Sequence, residues 1–151
     1  MEFRLIDNDR ESYMNVLLIA DPNEEVVMKY LDEGVLIGMF EEDKCIGISH
    51  YKVIDPSTAE IMNIGIVLDH QGRGWGKVLL DYTVDYAQDN GIGTLVLGTG
   101  NSSIGNIAFY QKSGFEMTEI WQNYFVDNYN EEIFENDIMC KHMIRFEKVL
   151  K

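Results

Sequence analysis

Apolar positions along the chain recur with two periods and divide it into short segments. Residues 3–6 read as a short strand, and residues 10–18 carry a helical pattern through Tyr13, Val16 and Leu17. Asp21-Pro22-Asn23-Glu24 predicts a second helix, with Asp21 as cap, Pro22 at the first helical position, Glu24 three residues after the cap and Gly34 at the end. Residues 35–41 and 45–54 are β-rich runs joined by the hairpin-length Glu42-Asp43-Lys44. After the turn Asp55-Pro56-Ser57, residues 59–68 read as a third long strand. Residues 74–90 read as a helix whose stripe is Gly76, Leu80, Val84 and Ala87, with Gly91 just past its end. A short apolar strand over 94–98, a helix over 103–113 stopped by Gly114, and strands over 115–126 and 138–149 complete the order β-α-α-β-β-β-α-β-α-β-β. Interleaved helices with flanking hairpins predict an α/β chain, a mixed sheet covered on both faces.

Composition narrows the class. The length of 151 residues fits one domain, 1–151, and 46% hydrophobic residues with two prolines predict a packed interior. The start, Met1-Glu2-Phe3-Arg4, is charged and lacks a secretory run, and nothing approaches the roughly 20 apolar residues of a membrane span. Cys45 and Cys140 have no metal-ligand or redox spacing, so the expectation is a reduced cytoplasmic protein without a metal. A formal net charge of −14 repels nucleic-acid backbones and anionic membranes, and is compatible with a cationic substrate.

The chemistry concentrates at Gln71-Gly72-Arg73-Gly74-Trp75-Gly76-Lys77, where a strand runs through a glycine-spaced turn into a helix. A helix start presents unpaired N–H groups and the positive end of its dipole, and glycines let an anion approach the backbone. The spacing is G-x-G-x-G rather than the G-x-G-x-x-G of dinucleotide folds, and Gly76-Lys77-Val78 does not complete a P-loop, which disfavours an NAD-dependent oxidoreductase.

The same residues resemble the Q/R-x-x-G-x-G/A signature of the GNAT (GCN5-related N-acetyltransferase) superfamily, small bacterial-type members in particular. Residues 59–66 resemble the strand that leads into that signature, and Ala108-Phe109-Tyr110-Gln111-Lys112-Ser113-Gly114-Phe115 resembles the family's helix end. The resemblance implies the acyl-CoA N-acyltransferase fold, a mixed, mostly antiparallel sheet of about seven strands with four helices. It implies that backbone amides of residues 71–77 hold the pyrophosphate of acetyl-CoA, with Arg73 and Lys77 adding charge. The backbone of Ile64, Gly65 and Ile66 would then contact the thioester and pantetheine. Two positions depart from the pattern. Ser103 stands where an Asn often contacts coenzyme A, leaving Asn101 or Asn106 as substitutes, and Leu68 stands where proline is frequent.

Amide formation requires an amine to lose a proton and a thiolate to gain one. By resemblance Tyr110 is the acid that protonates the coenzyme A sulfur, its other reading being a packed aromatic. Glu60, six residues before Ile66, occupies the position of a catalytic glutamate and reads equally as an ordinary strand carboxylate; His50 and His70 are alternative bases. Between Ser113 and Cys140 there is no Lys or Arg, while Glu116, Glu119, Asp127, Glu131, Glu132, Glu135 and Asp137 are interleaved with aromatics. This stretch reads either as a solvated face or as a wall that recruits a cationic amine acceptor. The expected activity is transfer of acetyl from acetyl-CoA to a primary amine in a ternary complex; the alternative is a non-catalytic acetyl-CoA-binding module. A homodimer through the last strands is a further possibility of the resemblance.

Overall fold

The three β-rich runs between residues 35 and 66 pair with one another because their hydrophobic residues alternate between two faces that both need cover. The computed structural model describes all residues, Met1–Lys151, and they divide into two units, Met1–Gly93 with Leu150–Lys151, and Thr94–Val149. In the first, β1 (Glu2–Leu5), β2 (Val35–Glu41), β3 (Lys44–Asp55) and β4 (Thr58–Ile66) lie in that order, each antiparallel to the next. A 3₁₀ turn over Arg10–Tyr13 leads into α1 (Met14–Ala20), which α2 (Glu24–Tyr30) follows. Leu36, Phe40 and Ile48 face these helices and pack with Val16, Leu17, Val27 and Leu31. Ile37, Met39, Ile46 and Ile66 point the other way and pack on Leu79 of α3 (Trp75–Asp89). Burial on both faces accounts for the near-continuous hydrophobicity of β2 and β3.

Two buried polar groups hold the helical layer to the strands. The Arg10 guanidinium donates to the carbonyls of Ile6, Leu31, Glu33 and Gly34 at 2.8–3.0 Å. It thereby satisfies the C-terminal carbonyls beyond α2, which no helical N–H reaches. His50 is fully buried on β3, and its Nε2–H donates to the Glu33 carbonyl at 2.6 Å. Burial pushes its pKa down to about 4, so it is neutral at pH 7.

The second unit is built on β9 (Met143–Val149), which pairs antiparallel with β5 (Thr94–Gly100) on one side and β6 (Glu116–Trp121) on the other. It also contains α4 (Ile104–Lys112), the five-residue α5 (Tyr124–Asn128), and a small hairpin of β7 (Phe134–Glu135) and β8 (Ile138–Met139). Outside that hairpin the two units carry four and three strands, the seven of the acyl-CoA N-acyltransferase fold, with four helices of seven residues or more.

Several boundaries differ from the sequence reading. The cap of α2 is Asn23, whose side chain accepts from the Val26 N–H at 3.2 Å, while Asp21 accepts from the Asn23 N–H instead. Gly34 lies four residues past α2, at φ +62, where the chain turns into β2. The third strand ends at Ile66 and a 3₁₀ turn takes up Leu68–His70. The strand expected over 115–126 stops at Trp121, because Asn123 at φ +58 turns the chain into α5. The strand expected over 138–149 is split into β8 and, from Met143, β9. Asn101 is the cause: its Oδ1 accepts from the N–H groups of Lys141 and His142, both at 2.8 Å, and these would otherwise continue the ladder. Ahead of that, Asn136 and Asp137, both at positive φ, form the two-residue turn of the β7–β8 hairpin.

Replacing Arg10 leaves buried carbonyls without donors. Arg10→Met is expected to lower the unfolding free energy by about 3 kcal/mol in urea titration, and Arg10→Lys by less. A loss under about 0.5 kcal/mol for Arg10→Met would show that water replaces the guanidinium at no cost.

Candidate functional site

The signature turn begins where β4 ends. Val67 N–H still bonds back to β3, at the Ile46 carbonyl (2.8 Å), and the His70 N–H closes the 3₁₀ turn on Val67 (3.0 Å). Gln71 folds its side chain inward, donating from Nε2 to the Ile66 carbonyl at 2.8 Å, so it braces the turn against the strand end. Gly72 and Gly74 follow at φ +76 and +85, values that side chains rarely adopt, and apart from the adjoining backbone no protein atom lies within 4 Å of where their Cβ atoms would be. The first intrahelical bond of α3 runs from Val78 N–H to Gly74 O. The N–H groups of Trp75, Gly76 and Lys77 precede it and have no carbonyl within the helix to bond. Trp75 packs its ring into the α3-side core, and Thr83 donates to the Ser49 hydroxyl at 2.9 Å, which fixes the helix on β3.

Charge around this turn is mixed. Arg73 is exposed at its tip. Lys77 pairs with Asp81 one helical turn on, at 3.0 Å, an exposed contact that costs the lysine little freedom. His70 is nearly buried, with Nδ1 3.0 Å from Asp69 Oδ1 and Nε2 3.1 Å from Glu41 Oε1. The bond with Asp69, then that with Glu41, raises its pKa above the ordinary histidine value. Both contacts therefore favour the charged form of His70 at the base of the turn. This role has no local signal in the sequence, since Glu41 lies 29 residues away.

Along β4, Ile64 and Ile66 face the α3 core, while an added Cβ at Gly65 would lie 3.4 Å from Ala20 of α1. A bulge interrupts the alternation: His50 pairs with Asn63 but Tyr51 pairs with Ile61, leaving Met62 as the extra residue. Met62 packs with the α1 and α2 core, and Asn63 donates to Leu17 O and the Tyr30 hydroxyl at 2.9 and 3.0 Å. Simple alternation puts Glu60 on the face of Ile64 and Ile66; the bulge moves it to the face of Asn63. Its cross-strand partner is Lys52, whose ammonium reaches Glu33 beyond α2 at 2.9 Å, consistent with that side of the sheet.

In the second unit, α4 ends in a Schellman turn. Phe115 N–H bonds to Tyr110 O at 2.9 Å, Gly114 N–H bonds to Gln111 O at 3.1 Å, and Gly114 adopts φ +91. This geometry brings the apolar residue past the helix against the third residue from its end, and the rings of Tyr110 and Phe115 lie 5.9 Å apart. Phe146 of β9 and Phe109 complete the aromatic surround at 5.8 and 5.3 Å. Tyr110 is 7% exposed, and burial alone pushes its phenol up to about 12, so it holds its proton at neutral pH.

Of the residues considered for the missing Asn, Asn101 is spent on the backbone of residues 139–142. Ser103 donates its hydroxyl to Glu135 at 2.6 Å, whereas Asn106 is exposed on the first turn of α4. The acidic stretch is also not uniform. Glu135 is engaged by Ser103, and Glu119 pairs across the ladder with Arg145, whose guanidinium stacks 4.1 Å over Trp121. Asp127, Glu131, Glu132 and Asp137 remain exposed.

No group of three or more His, Cys, Asp or Glu is placed to hold a metal ion, and no helix is long and apolar enough to cross a membrane. The family model of the Acetyltransferase (GNAT) family matches residues 4–115. An uncharacterized N-acetyltransferase of Bacillus subtilis, YvbK, is 34% identical over 145 residues, spanning 96% of this chain and 94% of its own. A GNAT family acetyltransferase from Elizabethkingia anophelis, solved with acetyl-CoA bound, superposes with a TM-score of 0.95 at 36% identity, covering 99% and 97% of the two chains. A Bacillus subtilis acetyltransferase solved with CoA gives 0.93 at 34% identity, covering 99% of each. The chain belongs to the GNAT acetyltransferase family. It is an acetyl-CoA-dependent N-acetyltransferase by class.

Proposed function

We propose that the whole chain acts as one N-acetyltransferase domain that carries acetyl from acetyl-CoA to a primary, cationic amine in a ternary complex. The observation that carries this reading is the turn after β4. Two positive-φ glycines leave open space in front of the unpaired amides that start α3, a form suited to a pyrophosphate. The amides of residues 72–77 bind it, with Arg73 and Lys77 adding charge and Gln71 bracing the turn. The backbone of Ile64, Gly65 and Ile66 binds pantetheine and thioester. Asn106 is the candidate for the coenzyme contact that the family often assigns to Asn, since the hydroxyl of Ser103 is engaged by Glu135.

The chemical steps then need one base and one acid. Glu60 takes the proton of the ammonium, directly or through a water. The free amine attacks the thioester carbonyl, the tetrahedral intermediate collapses with cleavage of the C–S bond, Tyr110 gives its proton to the leaving thiolate, and the surplus proton on the new amide nitrogen restores the phenol through solvent. A phenol held well above neutral by burial is protonated whenever the thiolate departs. A module that only binds acetyl-CoA needs neither group. Release of free thiol in a screen of amine classes separates the two readings: turnover with at least one amine supports the enzyme, and binding without turnover across the panel supports the module.

Gly74→Val fills the space in front of α3 and is expected to weaken acetyl-CoA binding at least tenfold in calorimetry, with the fold checked by circular dichroism. Wild-type affinity in a folded variant would move the coenzyme elsewhere.

Tyr110→Phe is expected to keep the fold and slow turnover by about 10²–10⁴. Glu60→Gln should lose most activity at mildly acidic pH, where the amine is hardest to deprotonate. Both are read from pH–rate profiles on the best amine. A profile superimposable on wild type returns Tyr110 to packing, or Glu60 to an ordinary strand position.

The exposed acids Glu131, Glu132 and Asp137 are expected to draw the cationic acceptor. Neutralising these three to amides, with Glu135 kept because it holds Ser103, should raise KM for the amine and leave acetyl-CoA affinity unchanged. The wild-type kcat/KM should fall with salt more steeply than that of the variant. A neutral best acceptor, or an unchanged KM, would leave these acids as a solvated face.

A further inference from the structure

His70 stands out among the charged groups that the proposed chemistry does not use. It is the residue before Gln71, its side chain is nearly buried, and each ring nitrogen faces a carboxylate oxygen, Asp69 at 3.0 Å and Glu41 at 3.1 Å. An ionised carboxylate only accepts hydrogen bonds, so both nitrogens must carry protons for both contacts to be bonds. The imidazolium alone satisfies this arrangement. A neutral ring would turn a lone pair toward one of the two carboxylates.

The bond to Glu41 is also a mechanical link. Glu41 is the last residue of β2 and pairs with Lys44 across the β2–β3 hairpin. The other charged groups nearby are accounted for on the same elements. Lys44 acts electrostatically on Asp69, Asp43 at the hairpin tip is paired with Arg4 at 3.1 Å, Glu42 is its exposed neighbour, and Arg73 lies three residues further along the turn. With His70 charged, the triad of Glu41, Asp69 and His70 sums to one negative charge; with His70 neutral it sums to two, just behind an anion-binding turn.

We propose that His70 is a positioning residue for the coenzyme: as the imidazolium it ties the pyrophosphate turn to the β2–β3 hairpin and offsets the carboxylates behind it, so that coenzyme affinity follows its protonation. This rests on the reading that the turn after β4 binds the pyrophosphate. The direction follows from linkage. An anion bound in front of the turn favours the charged ring, so coenzyme affinity is highest where the free protein holds His70 protonated and falls as pH rises through its folded pKa, which lies above the ordinary histidine value.

The test uses calorimetry with 3′-dephospho-acetyl-CoA, which lacks the phosphate monoester that itself titrates near neutral pH, from about pH 5.5 to 8.5. Wild type, His70→Gln and Glu41→Gln are compared, with amide exchange of residues 72–78 followed in parallel. Wild-type Kd should rise about fivefold from the acid to the alkaline limit, the effect expected of one charge at short range in partly solvated surroundings. His70→Gln should be flat with pH and close to the weaker limit, and Glu41→Gln should move the midpoint to lower pH. A flat wild-type profile, or a slope that survives in His70→Gln, overturns the role of His70 while the site stands. Binding without exchange protection at 72–78 overturns the placement of the coenzyme itself. A general loss of stability in His70→Gln would lower affinity at every pH and would not remove the slope.

Discussion

An α-helix cannot pair its first N–H groups within itself, and this chain leaves those of Trp75, Gly76 and Lys77 open directly after a strand. Much of the first unit serves that arrangement. β4 must end at Ile66 for the turn to form, and it is fixed there by the ladder to β3 and by Val67 bonding to Ile46. Gln71 then folds back on Ile66, and the glycines at 72 and 74 take conformations that other residues rarely adopt. α3 is held in place by its buried stripe and by the Thr83–Ser49 bond. A helix start of this kind attracts anions through local dipoles, which explains how a chain of net charge −14 can belong to a family that uses a polyanionic coenzyme. The overall charge acts at long range and is screened by salt, whereas oriented amides act at contact.

The second unit follows a comparable logic with aromatic side chains. The Schellman turn at Gly114 brings Tyr110 and Phe115 together, and Phe146 closes on the same ring. Packing and proton-holding are thus properties of one residue rather than rival descriptions. A phenol is protonated at neutral pH at its ordinary value, and the burial that makes Tyr110 look like a core aromatic pushes it further up, to about 12. The acids between Ser113 and Cys140 divide by position. Glu119 accepts from the Trp121 indole and Glu135 takes the Ser103 hydroxyl, so the acids of the stretch are not equally available to anything outside the chain.

Buried histidines in the first unit illustrate how position sets charge. His50 is enclosed by core residues with a carbonyl as its bonded partner, and its charged form is suppressed. His70 has a carboxylate on each nitrogen, and its charged form is favoured. Both are candidate bases on composition alone. A ring held neutral to about pH 4 is a weak base, and a ring whose two nitrogens both face carboxylates turns no lone pair toward a substrate.

Local rules were sufficient for much of the molecule. Period and glycine placement located the strand at 35–41, the strand expected over 94–98 that runs on to Gly100, the long helix before Gly91 and the helix end before Gly114, because backbone dihedrals and amphipathic faces depend on near neighbours. The glycine turn before α3 was legible for the same reason, as was the position of Tyr110 near a helix end. Other features depended on strand register and on partners far along the chain. The cut between β8 and β9 is made by Asn101, 40 residues from the Lys141 N–H that it binds. The face of Glu60 is set by a one-residue bulge opposite β3, which shifts every side chain beyond it. The charged form of His70 is favoured by its neighbour Asp69 and also by Glu41 on another strand. Composition and period determined which elements form and where the chemistry gathers, since those follow from local conformation. Which side chains face each other, and hence which groups are charged, engaged or open, was decided only when the strands paired.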